Sequence, residues 1–518
     1  MPIIRKHGNK IAAVCTILVF LTVFSIINFC GFERYCTADM YSDTYLSRLM
    51  WQEKTIFPED WVFGNQFYVF VTPVFAALFY GMCGSINLAM ALATTTMTVL
   101  ILLSFWWMVK PYASMEQILF GMAVLLGSIV GRRIETTIEG QIFYIMASYY
   151  SGYLVTLFVV FGVYVRARSG KQSGWVSMTI AVLLSFCMGM QSLRQTAVMV
   201  VPLMAIEGVR VLVRLIRERR LHIDVAARRA LACVAANILG LITIRILKPK
   251  AMPMFDSLAV TDVNDISESI LQGLGCLWGV TGLKYLNSDL QMYGVIAGVF
   301  VAVVVLAMIV FFAGRCKDSL GLLACLCAIG ILSVMAVFVV FDFPYTRSIY
   351  MFPWYGMPAL SAMMLLGWLR GRWKTAAGWV ILAVLACNCC FSYLPTVYTI
   401  MRKPEEPRQQ IAEYLLDNGY TRAYSDWYNA SCVAAWTDGQ VDAGCWTDEV
   451  CEILLYISPL DVYSEEDNDN AVYMVSDGDL QAFLTRAEKV GARLELLTRF
   501  DNGYTLYTSD IQLMYFPE

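Results

Sequence analysis

The amino-acid sequence predicts a polytopic α-helical membrane protein, with about 11 to 13 transmembrane helices and a C-terminal extracytoplasmic α/β domain. Three observations carry that expectation. Hydrophobic residues make up 58% of the 518 and charged residues 15%, against roughly 25% charged in a soluble chain, and mean hydropathy is +0.59. Apolar runs of about 16 to 24 residues recur from residue 11 to residue 397, long enough or nearly so to cross a ~30 Å hydrocarbon core as helices. After residue 402 the character changes: residues 403–518 hold 7 Lys+Arg against 22 Asp+Glu, an acidic soluble tail on a basic membrane body. The domains are therefore read as 1–402 and 403–518.

The chain opens with "MPIIRKHGNKIAAVCTILVFLTVFSIINFC". Its basic start resembles that of a signal peptide, but an apolar run of about 20 residues with no small-x-small cleavage pattern reads as a retained first span. Positively charged loops stay on the cytoplasmic side. "RKHGNK" therefore sets the N-terminus inside and the first loop, 31–66, outside. "RARSGKQSG" (166–174), "RLIRERRLHIDVAARR" (214–229), "GRCKDS" (314–319) and "RGRWK" (370–374) read as cytoplasmic. "GMQSLRQ" (189–195), the loop 248–290, "DFPYTR" (342–347) and the tail then face outward. Apolar runs near 67–83, 86–108, 115–130 and 141–165 give an even number of crossings where the charges require an odd one. The short run 115–130 is read as re-entrant, which places Arg132, Arg133, Glu135 and Glu139 at the outer face.

In the tail, "EEPRQQIAEYLLDNGY" reads as a helix stopped at Gly419, and "TRAYSD" as a strand. "GDLQAFLTRAEKVG" is a second helix, followed by strands "RLELLTRF" and "YTLYT" joined at "DNG". The 16 Cys lie mostly inside apolar spans, where Cys acts as a small hydrophobe, and with 2 His no zinc or haem ligand set emerges. Cys432, Cys445 and Cys451 leave a tail disulfide open. The negative tail argues against nucleic acid as a partner.

The first loop is the informative segment. "TADMYSDTYLSRLMWQEKTIFPEDWVFGNQ" (37–66) places Asp39 and Asp43 just past a span end among Tyr41, Tyr45, Trp51 and Trp61. A carboxylate there serves as a general base at headgroup depth; acids beside an aromatic belt also arise as ordinary loop or capping residues. The acid at the loop start, the amphipathic stretch "TYLSRLMWQEKTIF" and "PEDWVFGNQFYVFVTP" leading into the second span together resemble the first external loop of GT-C membrane glycosyltransferases. They are most similar to uncharacterised GT-C-like proteins of bacterial cell envelopes. The family's frequent Asp-Glu pair is not matched, since Met40 follows Asp39, whereas the Asp39-to-Arg48 spacing fits some members.

The resemblance implies a GT-C fold in the cytoplasmic membrane and an inverting transfer of sugar from a polyprenyl-phosphate carrier to a cell-surface glycan, lipid or protein. Asp39 is the first choice of base and Asp43 the second. The leaving phosphate needs cationic help, for which Arg347, Arg194, Arg132 and Arg133 are the outward-facing candidates. Arg347 is preferred for its neighbours Tyr345 and Tyr350, while Tyr41 and Trp61 are candidate contacts for donor or acceptor. Asp262, Asp265 and Glu268 are candidates to hold a divalent metal, Mg or Mn, and their spacing equally suits an exposed helix face. A transporter or flippase, and a polymerase or ligase of lipid-linked glycans, are the competing readings; the spans carry few acids and show no two-fold repeat, which disfavours the transporter.

Overall fold

A computed structural model describes residues 2–31, 38–64, 66–128, 144–145, 149–171, 174–219, 223–251, 260–279, 318–341, 352–353, 355–402, 409–463, 468 and 470–514. Among these residues, seven helices are long and apolar enough to cross a membrane, including Gly8–Cys30, Ile86–Val109, Ser151–Arg168, Val225–Leu247 and Ser319–Val340. Four shorter apolar helices accompany them: Thr72–Cys83, Met115–Gly127, Trp175–Gln191 and Gly356–Trp368. The chain is a multi-pass membrane protein.

Short polar residues set the span ends. Ser85 accepts the Leu88 N–H at the start of Ile86–Val109. Ser114 and Gln117 form a reciprocal capping box at Met115–Gly127, and Asp224 and Asp318 cap Val225–Leu247 and Ser319–Val340. Gly84, at φ 72°, ends Thr72–Cys83 by turning its N–H back to the Tyr80 carbonyl. The helix in the run read as re-entrant, Met115–Gly127, has 13 residues, short of the ~20 needed to span. The sequence that follows it, 129–143, lies outside the described residues.

Two helices approach until their backbones touch. A Cβ on Gly189 would lie 2.0 Å from the Asn237 carbonyl oxygen, and one on Gly240 2.1 Å from that of Phe186. Close approach through small residues is how helices gain packing where lipid gives no hydrophobic drive. Across the same seam Asn237 donates to the Ser185 carbonyl (3.1 Å) and accepts from the Thr196 hydroxyl (2.8 Å).

The tail holds a five-stranded sheet in the order β3-β2-β5-β7-β6: β2 Arg422–Asp426, β3 Asp442–Trp446, β5 Ala471–Ser476, β6 Leu494–Phe500 and β7 Tyr504–Ser509. β2 runs parallel to β3 and β5, whereas β7 pairs antiparallel with β5 and β6. Central strands covered on both faces are near-continuously apolar, and "AVYMV" of β5 is buried throughout. One face packs Tyr424, Trp446, Tyr463, Tyr473 and Phe483, the other Ile411, Leu415, Val433, Val472 and Leu506. The strands read from "TRAYSD", "RLELLTRF" and "YTLYT" and the helix read from "GDLQAFLTRAEKVG" are all present. Cys432, Cys445 and Cys451 are buried free thiols. A two-stranded ribbon pairs β1, Trp61–Val62 of the first loop, with β4, Ser458–Pro459 of the tail.

Candidate active site

The first loop folds into a helix, Ala38–Glu53. Asp39 sits in its first turn, where a carboxylate meets the positive end of the helix dipole. One turn on, Asp43 shares its face. Asp39 is half-buried, whereas Asp43 is 0% exposed. Burial holds the Asp43 carboxyl well above the usual range, the charge of Asp39 adds to this, and the nearby Tyr68 hydroxyl works against it. Neither Asp43 oxygen completes a hydrogen bond among the described residues, although the Tyr68 hydroxyl lies nearby. Burial thus disfavours the charged form of Asp43, while the half-buried Asp39 is the more accessible of the two carboxyls.

Tyr68 belongs to the segment 66–70, which brings the helix to the span ends. Phe63 N–H donates to the Lys250 carbonyl (2.8 Å), just past Val225–Leu247, and Phe67 N–H to the Gln191 carbonyl (3.0 Å), the last residue of Trp175–Gln191. The Gln191 side chain accepts from Phe70 N–H at 3.2 Å. Two residues before Tyr68, the buried Gln66 accepts from Arg194 at 3.0 Å and from the Tyr153 hydroxyl at 3.1 Å. The Arg194 guanidinium also lies 5.4 Å from the Tyr150 ring centroid. A two-residue step spans at most about 7 Å of backbone. Tyr68 beside Asp43 and Gln66 beside Arg194 thus put the carboxylate pair and a cation at neighbouring points of one short segment.

Arg194, Asp39 and Asp43 are gathered at this end of the molecule. The other end carries basic residues: Arg168 pairs with Glu207 and, at 2.6 Å, with Asp224, and Lys374 pairs with Glu116 at 2.6 Å. Arg347, Arg132, Arg133, Tyr345 and Tyr350 lie outside the described residues. Tyr41 is buried with its ring edge-on to Trp436 at 6.1 Å, and Trp61 is buried and stacked on Tyr45 at 6.0 Å. Asp262, Asp265 and Glu268 are exposed: Asp262 accepts from the Asn264 backbone and amide, and Glu268 from Gln272. Among the described residues no three His, Cys, Asp or Glu stand together as a metal site.

Residues of the tail, absent from the sequence-based list of site residues, surround the same helix. Arg48 pairs with Asp442 and donates to the Gly439 carbonyl, its guanidinium 4.5 Å from the Tyr45 ring centroid. Tyr45 donates to Asp461 (3.4 Å), and Ser42 lies 3.3 Å from the Ser431 hydroxyl. Asp438 accepts the Ile86 and Asn87 N–H groups (2.8 and 3.2 Å) at the start of the span Ile86–Val109. Trp436 and Trp427 face the first loop, whereas Trp446 lies in the core of the tail. No periodic pattern reveals such partners, because they come from about 390 residues away in sequence.

Burial pushes the Asp461 carboxyl from near 3.8 up to about 6, with Asp442 and Asp60 adding to the shift and Arg48 and the Val462 N–H opposing it. A carboxyl raised on folding adds stability that is complete below its unfolded pKa and disappears as pH rises through the folded one. Between pH 4 and 6 the Asp461 contribution to stability thus falls as pH rises. Asp461→Asn, which keeps one acceptor oxygen and removes the charge, flattens that slope and raises the melting temperature at pH 7.5. Thermal unfolding in detergent across pH 4–8 checks it, and an unchanged slope would remove Asp461 as its source.

No family model matches the chain, and no curated protein matches it. Among solved structures it is similar to ArnT from Cupriavidus metallidurans bound to undecaprenyl phosphate, with TM-score 0.56, 11% identity, 99% of this chain covered and 100% of that one. The apo state of the same ArnT superposes with TM-score 0.54 at the same identity and coverage. The chain shares the fold of ArnT over 99% of its length, a polytopic membrane body followed by a sheet-containing C-terminal domain.

Proposed function

We propose that this protein is a membrane glycosyltransferase that moves a sugar from a polyprenyl-phosphate carrier to a cell-envelope acceptor on the extracytoplasmic side, with inversion at the anomeric carbon. The observation that carries the proposal is the juxtaposition, inside an ArnT fold, of the half-exposed Asp39 and the Arg194–Gln66–Tyr153 group.

Each part has a chemical task. Asp39 takes the proton of the acceptor hydroxyl as that oxygen attacks the anomeric carbon from the face opposite the phosphate, so a single displacement inverts the configuration. The buried Asp43 behind it, whose charged form burial disfavours, fills the helix face. The polyprenyl phosphate departs with its charge already in place and needs cationic and hydrogen-bonding support. Arg194 supplies the charge, while Gln66, which also accepts the Tyr153 hydroxyl proton, holds the guanidinium in position. Arg347, Arg132 and Arg133 remain further candidates for the phosphate, Tyr345 and Tyr350 for the sugar or prenyl chain, and Tyr41 and Trp61 for the walls of the site. The N-terminus is cytoplasmic in this reading.

The test combines two readouts. A strain lacking the gene loses one sugar from its surface glycans, and the wild-type gene restores it. Purified Arg194→Ala binds undecaprenyl phosphate about tenfold more weakly than wild type, the loss of one charge-assisted hydrogen bond, measured by tryptophan fluorescence titration. Unaltered surface glycans in the deletion strain together with unchanged affinity in Arg194→Ala would overturn the reading.

A further inference from the structure

We infer that the soluble tail acts as a positioning clamp that sets the rotation of the helix carrying Asp39 and Asp43, with Asp442 as the residue that fixes it through Arg48. The inference rests on the glycosyltransferase reading for its consequence, though not for its geometry.

At 100° per residue, Asp39, Asp43, Leu46 and Met50 fall within a stripe about 60° wide on the helix Ala38–Glu53. Tyr41, Tyr45 and Arg48 form a second stripe roughly 180–240° around from Asp39. The tail holds that second stripe along its length: Trp436 against Tyr41, Asp461 at the Tyr45 hydroxyl, and Asp442 with the Gly439 carbonyl on Arg48. Ser431 meets Ser42 between the two stripes. A helix gripped on its back by four points cannot roll, so the carboxylates stay turned toward Tyr68 and the segment leading to Gln66.

The clamp is also anchored to the membrane body. Gly439 and Asp442 follow Asp438, a residue at φ 50° whose carboxylate caps the span Ile86–Val109. Asn87 of that span donates to the Ala435 carbonyl (3.0 Å). One turn of the tail, 435–442, thus ties the carboxylate helix to the start of a transmembrane helix. A planar guanidinium holds two acceptors in fixed directions, which an ammonium cannot do.

The experiment compares Asp442→Ala, Asp442→Glu and Arg48→Lys in the full chain, in nanodiscs. Amide hydrogen exchange over residues 38–53 and 471–509 is measured, together with restoration of the surface sugar in the deletion strain at equal membrane abundance. Asp442→Ala is expected to speed exchange in 38–53 by about tenfold, leave the sheet at 471–509 unchanged, and lose most of the restoration. Asp442→Glu recovers both, as a merely destabilised tail would not allow, and Arg48→Lys recovers them in part. Unchanged exchange in 38–53, or accelerated exchange with full restoration, would overturn the clamp. A deletion strain with no glycan change defeats the glycosyltransferase reading instead, and the exchange data still decide the clamp.

Discussion

Asp39→Asn leaves the protein folded in the membrane and lowers sugar transfer by about 10³-fold, within the range set by removing a general base. Asn occupies the same volume at the same first-turn position, so the helix Ala38–Glu53 and its contacts with the tail persist. What disappears is the proton acceptor. Undecaprenyl phosphate affinity stays at the wild-type value, because Arg194, Gln66 and Tyr153 are untouched. Asp43→Asn is the informative contrast: that side chain is fully buried behind Asp39 and burial disfavours its charge, so an amide of the same volume changes transfer by less than about threefold. Surface-glycan composition in the complemented deletion strain, at equal membrane abundance, reads both variants. Full restoration by Asp39→Asn together with loss in Asp43→Asn would exchange their roles, and restoration by both would remove the first-loop acids from the chemistry.

Gly240→Leu is expected to cost the membrane body at least about 3 kcal/mol, the upper part of the overpacking range. The added side chain would have to displace backbone atoms, the Phe186 carbonyl oxygen at 2.1 Å and the Met190 nitrogen at 2.8 Å, and no rotamer change relieves that. Prying the two helices apart also breaks the Asn237 bonds to Ser185 and Thr196. The site suffers with the seam, because Gln191, at the end of the helix Trp175–Gln191, receives Phe67 and Phe70 of the segment that bears Tyr68. Gly208→Ala serves as the control, since nothing lies within 4 Å of its Cβ. Thermal unfolding of the detergent-solubilised proteins separates the two, and equal melting temperatures would show that the seam accommodates a side chain.

The parts of this fold legible in the sequence are those governed by local chemistry. Apolar length announces spans such as Ile86–Val109 and Ser319–Val340, and Ser85, Asp224 and Asp318 mark their starts. The strand at "RLELLTRF" and the helix at "LQAFLTRAEKV" are announced by their own composition and periodicity. Asp39 stood out through the resemblance of its loop, and Arg194 as a cation at the outer end of a span where a leaving phosphate needs one. Gln66, Tyr68 and Tyr153 did not, since neutral polar residues among aromatics look like an ordinary membrane interface until their hydrogen bonds are seen. The gripping of the first loop by Asp438, Asp442 and Asp461 was equally hidden: in sequence each is one more acid in an acidic tail, and only tertiary contact separates these from solvated ones.

Arg48 and Asp442 are separated by 394 residues, and that interval is also a delay. A ribosome adding about 5–20 residues per second releases Asp442 some tens of seconds after Arg48 has been made. During that time the first-loop helix waits at the membrane surface with Tyr41, Tyr45 and Trp61 uncovered, its later partners still unsynthesised. Nascent chains stalled before β3 therefore hold their spans in the bilayer yet expose the aromatic face of the first loop to protease and chaperone. Synthesis of β3 and the segment around Asp461 is the event that covers the aromatic face of the first-loop helix.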